Sequence, residues 1–174
     1  MIKESLKTYL DEYFESYKKY MGTYPTVPYD EDEESSLWFG EVKDEDYIQW
    51  MYKEKDEITL FTELENEIGE ALPDSIKEFY NSWYFLQLQG FYNGESLLFD
   101  NISDSKDILN DLRDCIFTIE GRKYLQMGIY GNMCLALCIQ LNSGEMVYVD
   151  YDCNKVEKLA DSLDGILTNM TPMR

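Results

Sequence analysis

Histidine is absent from all 174 residues. With it go the Ser-His-Asp and Cys-His nucleophiles, zinc sites built on imidazole, and the one side chain that ordinarily changes charge near neutral pH. Positive charge is scarce, since 15 lysines and arginines face 35 aspartates and glutamates, for a formal net charge of −20. A surface so negative repels phosphate, and neither GxGxxG nor GxxxxGK[ST] is present to aim backbone amides at one, so neither nucleotides nor nucleic acid are expected as partners. No apolar run approaches the roughly 18 residues of a membrane span, and the opening Met1-Ile2-Lys3-Glu4-Ser5 alternates in charge. The expectation is a cytoplasmic protein, neither conventionally exported nor membrane-spanning.

Linkers and repeats are missing too. Ten glycines and four prolines are scattered along the chain, with no Gly/Ser-rich or Pro-rich stretch and no fixed period, which predicts a single domain over residues 1–174. A chain of this length buries roughly 70% of its unfolded surface and needs no covalent staple. The four cysteines, Cys115, Cys134, Cys138 and Cys153, are therefore expected to be reduced and buried. Cys134 and Cys138 lie on an apolar run that reads as a strand, where four residues span about 13 Å, too far for a disulfide or a shared metal.

Hydrophobic residues make up 44% of the chain and aromatics 15%, enough for a core despite the charge. Leu6, Tyr9, Leu10, Tyr13, Phe14, Tyr17 and Met21 recur every three or four residues, so a helix should end near Gly22. Trp38 to Val42 and Tyr47 to Tyr52 read as a hairpin. Thr62-Glu63-Leu64-Glu65 has the form of a capping box opening a second helix, which Pro73 breaks to start a third carrying Ile76, Phe79, Tyr80 and Trp83 on one face. Phe85 to Tyr92 and Glu95 to Phe99 flank Asn93-Gly94, a turn tolerant of positive φ. Ile108, Leu109, Leu112, Cys115, Ile116 and Ile119 predict a fourth helix, capped by Ser103, Asp104 or Ser105 and ended near Gly121. Tyr124 to Ile129, Met133 to Leu141 and Glu145 to Tyr151 are strands, the middle one apolar enough to be central. Leu159, Leu163, Ile166 and Leu167 predict a last helix, terminated by Pro172. Helices and antiparallel strands in blocks give an α+β fold, with a mostly antiparallel central sheet of about six strands flanked by helices.

Paired carboxylates are the acid–base device that survives these exclusions, yet 35 acids make any chosen pair uninformative. The reading is a non-enzymatic protein without a cofactor. Asp30, Asp32, Glu34 and Glu41 fall in calcium-loop register, but Ser35 stands where the sharp turn needs glycine and Pro25 and Pro28 replace the incoming helix, so no metal is expected. The acids are better read as a surface for a basic protein. Asp30, Glu31, Asp32, Glu33 and Glu34 form one loop, Asp44, Glu45 and Asp46 the next, and Tyr24 and Tyr29 border the first outside any periodic stripe, where they would anchor a partner beside the charge.

The N-terminal aromatic helix with its following proline, Tyr47-Ile48-Gln49-Trp50, the helix from Pro73 to Phe79-Tyr80, Asn142-Ser143-Gly144-Glu145 and Leu159-Ala160-Asp161-Ser162-Leu163 occur in an order that resembles the Syd proteins of the SUKH superfamily. The resemblance implies a non-catalytic binding domain. Syd is similar in using an acidic concave face against basic cytosolic loops of the SecY translocon, and other superfamily members look like immunity proteins against secreted toxins. The expected function is therefore an immunity protein that neutralises a basic, possibly nuclease, toxin by stoichiometric binding. The alternative is a regulator bound to SecY loops and held peripherally at the membrane through that partner.

Overall fold

The first twenty-residue element is helix α1, Ile2–Met21. Its Leu6, Tyr9, Leu10, Tyr13 and Phe14 are all buried, on the stripe that their spacing predicts. Gly22 ends it in the left-handed region at φ 69°, a conformation that costs other residues, and its N–H donates to the Lys18 carbonyl at 3.0 Å. The computed structural model describes residues 1–43 and 46–172.

Strands β1 (Thr26–Pro28), β2 (Trp38–Lys43) and β3 (Tyr47–Trp50) form a small antiparallel sheet in the order β1-β3-β2. Pro28, which cannot donate to a ladder, lies on an edge strand. Trp50 is fully buried with its ring edge-on to Phe14 at 5.0 Å, so it fastens this sheet to α1. A two-residue strand β4 (Lys53–Glu54) pairs with β5 (Trp83–Tyr84).

Between them lie α2 (Thr62–Ile68) and α3 (Asp74–Tyr80), and here the expected capping box does not form. Phe61 occupies the N-cap of α2 and no side chain caps it. Glu65 turns away instead, accepting the Leu72 N–H at 2.8 Å and pairing with Lys77 at 2.7 Å, so it ties α2 to α3. Gly69, at φ 70°, ends α2 before Pro73 is reached, Pro73 is the N-cap of α3, and Trp83 has left the helix for β5. The Lys77 ammonium, helped by the Leu72 amide, holds the Glu65 carboxyl below its ordinary range. A carboxyl lowered by folding stabilises the native state above its unfolded pKa and loses that contribution as pH falls through the folded one. Glu65→Ala is therefore expected to cost about 1–2 kcal/mol at neutral pH, and Thr62→Ala under about 0.5. Urea titrations repeated below about pH 4.3 should find the Glu65 difference shrinking.

The large sheet is antiparallel throughout and contains β6 (Leu88–Tyr92), β7 (Glu95–Phe99), β8 (Ile116–Ile119), β9 (Arg122–Tyr130), β10 (Leu135–Gln140), β11 (Met146–Asp150), β12 (Lys155–Ala160) and β13 (Thr171–Pro172). Its order is β12-β11-β10-β9-β7-β6-β13, with β8 added on β9. The apolar run of β10 is explained by burial on both faces. Leu137 and Ile139 enter the main core, while Ala136 and Cys138 join Tyr124, Val147 and Val149 in a second cluster. Asn93 and Gly94 take φ values of 53° and 83°, as the tight turn between β6 and β7 requires.

Helices α4 (Ile108–Cys115) and α5 (Leu163–Asn169) are shorter than their apolar spacing predicts. Ile116-Phe117-Thr118-Ile119 is not the end of α4 but strand β8, paired with the first half of β9. Three β-branched residues and a phenylalanine favour an extended chain, and the partner strand decides the contest. The intervening turn was hidden because Glu120, an unusual residue at positive φ, precedes Gly121. Asp107, not Ser103, Asp104 or Ser105, caps α4, accepting the amides of Leu109 at 3.0 Å and Asn110 at 3.4 Å. Leu159 belongs to β12, and α5 starts only after Ser162, whose Oγ accepts the Gly165 N–H at 3.1 Å. All four cysteines are free, but only Cys138 is buried; Cys115 is half-buried, and Cys134 and Cys153 are exposed in turns. Burial pushes the Cys138 thiol up to about 12, which leaves it unreactive at neutral pH.

Candidate functional site

One edge of β9 is shared by two strands. β7 pairs with its second half as far as Phe99 opposite Gly128, and β8 pairs with its first half from Ile116 opposite Leu125. Gln126 and Met127 lie in the gap. The Asp100 N–H donates to the Met127 carbonyl at 2.8 Å, after which the chain leaves the sheet, turns through α4 and returns as β8. A cavity of about 330 Å³ opens at this split, lined by Gln126 from β9, Tyr80 from α3, Asp100, and Asp111, Asp114 and Cys115 from α4. A second cavity, of about 410 Å³, lies against Trp38, Leu86, Leu98 and Glu33. The two share Asp100, Asn101, Ser103 and Lys106, so together they make one trough between the small sheet and α4.

Four carboxylates, Glu33, Asp100, Asp111 and Asp114, line this trough, and Lys106 is the one base among its lining residues. Asp111 and Asp114 stand three apart on α4 and face the same way. Burial pushes the Asp100 carboxyl up, opposed by Lys106. Lys106 itself reaches Asn101 Oδ1 at only 3.4 Å. Burial, and then the charges of Asp100, Cys115 and Asp111, push the Tyr80 hydroxyl far above its ordinary value, so it is a neutral phenol under all physiological conditions. Among the described residues, no three Cys, Asp or Glu side chains converge as a metal site.

Strand pairing brings Asp46, the described acid of the second loop, beside the first. β1 lies beside β3, and the Tyr29 N–H donates to the Asp46 carbonyl at 2.7 Å, so Asp46 adjoins the loop carrying Asp30, Glu31, Asp32, Glu33 and Glu34. Asp44 and Glu45 lie outside the described residues. The loop is exposed throughout and shaped by Asp30, whose carboxylate accepts the Asp32 N–H at 2.9 Å. Its far end is tied down: Ser35 Oγ and the Ser36 N–H donate to Asp104 at 2.7 and 2.8 Å. Although burial opposes them, these bonds hold the Asp104 carboxyl below its usual range. Of the predicted residues that the structure describes, Glu33 lines the trough. Tyr29 rests on Trp38 at 5.3 Å. Tyr24 sits between Phe14 and Phe39 at 6.4 and 5.1 Å, with the Lys18 ammonium 4.1 Å above its ring, and so packs the small sheet on α1.

The sequence did carry a signal for the other wall. Asp100, Asp104, Asp107, Asp111 and Asp114 are spaced four, three, four and three apart, a helical period written in acids rather than in apolar residues. Hydrophobic periodicity does not display it, because every member of the series is charged.

A family model described as Syd protein (SUKH-2) matches residues 3–116, about two thirds of the chain. The chain belongs to the Syd protein (SUKH-2) family. The matched span runs from α1 to the first residue of β8 and includes all four trough carboxylates, whereas Asn142-Ser143-Gly144-Glu145 and the Leu159 to Leu163 segment fall beyond it. No curated protein matches the chain significantly in sequence. Membership in this generally non-catalytic family points to a protein-binding role. Among the described residues, no helix is long and apolar enough to cross a membrane.

Proposed function

We propose that this protein is a non-enzymatic, single-domain immunity protein that neutralises a basic toxin in the cytoplasm by occupying its cationic surface. The observation that carries the reading is the trough with Glu33, Asp100, Asp111 and Asp114 on its walls and the exposed acids of residues 30–34 at its rim. A concave negative site concentrates field lines, speeds encounter with a positive partner and penalises acidic ones. Occlusion requires shape and charge, with no group that breaks a bond. Trp38, Leu86 and Leu98 supply the apolar floor on which a partner segment excludes water.

A second reading, binding to basic cytosolic loops of SecY, is favoured by one specific observation, the match to the Syd protein model itself. Affinity recovery from a lysate of the source cells, at low and moderate salt with identification of the eluted proteins, separates the two. Near-stoichiometric recovery of a basic toxin supports the first and recovery of translocon subunits the second. Absence of any salt-sensitive protein partner overturns both.

A further inference from the structure

We propose that the cavity at the β7/β8 split is a receptor for a guanidinium group, delivered as an arginine side chain of the basic partner. The inference rests on the protein-binding reading above and narrows it to one kind of side chain.

Tyr80 is the observation that separates this cavity from a merely acidic surface. Its side chain is 8% exposed, it lines the cavity, and its hydroxyl makes no hydrogen bond among the described residues. With no partner in the protein, that hydroxyl is left to the cavity, where it is free to accept a hydrogen bond. Its strongest electrostatic neighbours are Asp100, Cys115 and Asp111, which line the same space. An incoming N–H donor would meet the hydroxyl and the carboxylates together. The Asp100 carboxyl, pushed up by burial, is a charge held against its own preference and would be relieved by a cation.

Arginine fits this chemistry better than lysine. The acceptors sit on separate elements, with Tyr80 on α3, Asp100 after β7 and Asp111 on α4. A guanidinium presents five donors in one plane and serves several such directions at once, whereas an ammonium is a compact and strongly hydrated point charge. Ile108 and Leu112, also on the wall, offer apolar surface to the methylene stem. Gln126 is already fixed, since its Oε1 accepts the Tyr151 hydroxyl at 2.9 Å, and it forms a firm floor. Lys106, which donates to Asn101 at 3.4 Å and faces Asp100, is the protein's own cation at the site and competes with the arriving one.

The test is a two-dimensional NMR titration of the intact protein with Nα-acetyl-arginine methylamide and, in parallel, its lysine counterpart. The arginine compound is expected to give saturable shifts centred on Asp100, Cys115 and Gln126, with an affinity at least roughly fivefold above that of the lysine compound. Tyr80→Phe, which keeps the ring packed on Phe79, and Asp100→Asn should each weaken binding about fivefold or more. Lys106→Gln should tighten it about twofold, a change of opposite sign that damage to the fold would not produce. Asp100→Asn should also melt no lower than the parent, and by about 1–3 °C higher, because it removes a charge that burial disfavours. Equal, non-saturating shifts with both compounds overturn the proposal, as does unchanged arginine binding in folded Tyr80→Phe and Asp100→Asn. If these results accompany recovery of a basic partner from lysate, the cavity assignment alone falls. Saturable arginine binding in a protein that recovers no basic partner supports the guanidinium site and overturns its protein-borne source.

Discussion

Gly128→Ala is expected to cost about 3 kcal/mol or more, read as a fall of about 1–2 M in the urea midpoint. Gly128 stands on β9 opposite both Phe99 of β7 and Leu137 of β10, where the register with β10 slips by one residue at Met127. A Cβ there would run into the Leu98 carbonyl oxygen, with Leu98 C and Phe99 Cα each at 2.9 Å. These are backbone atoms of a paired strand, so no rotamer change relieves the clash and β7 itself must move. Phe99 leads directly into Asp100, so any variant that still folds displaces the trough wall with the strand. Gly165→Ala is the matched control. Its added Cβ meets only Ser162 Oγ at 3.4 Å in the first turn of α5, and the variant should be neutral or gain up to about 1 kcal/mol from reduced freedom of the unfolded chain. A midpoint for Gly128→Ala equal to that of Gly165→Ala would contradict this account of the β7–β9 approach.

Replacing Asp30, Glu31, Asp32, Glu33 and Glu34 together by Asn and Gln should slow association with the cationic partner about 10- to 100-fold at low salt, and flatten the salt dependence of the rate. The dissociation rate should change less, because of the five only Glu33 lines the trough and the other exposed charges act on the encounter rather than on the docked contacts. The fold should survive, since the loop is exposed and Asn at position 30 retains the side-chain oxygen that receives the Asp32 amide. Stopped-flow mixing across a salt series measures both rates. If the association rate and its salt slope stay at parent values, steering belongs to Asp100, Asp111 and Asp114 inside the trough and the loop has no part in it.

These two expectations differ in how visible their causes are in the sequence. The acids of residues 30–34 are legible at sight, as is the stripe of α1 and the Asn93-Gly94 turn, because each is set by neighbours within a few residues. Gly128 is not legible. One glycine in a strand is unremarkable until the partner strand is known, and the atoms that forbid a side chain lie thirty residues earlier. Helix α4 marks the boundary between the two cases. Its apolar spacing continues to Ile119, and local propensity alone cannot show that β9 offers Ile116 to Ile119 a ladder of backbone hydrogen bonds.

By itself, then, the sequence determined the α+β class, the large negative net charge, and the chemistries that a chain without histidine cannot perform. These follow from composition and from short-range periodicity, which do not depend on how distant segments meet. Tertiary structure alone decided which of the acids gather. Asp100, Asp111 and Asp114 come to line one cavity because β7 and β8 divide one edge of β9 and leave a gap, and α3 brings Tyr80 into it from outside the acidic segment. The placing of that phenol beside Asp100 and Asp111 is a property of packing, which no spacing along the chain encodes.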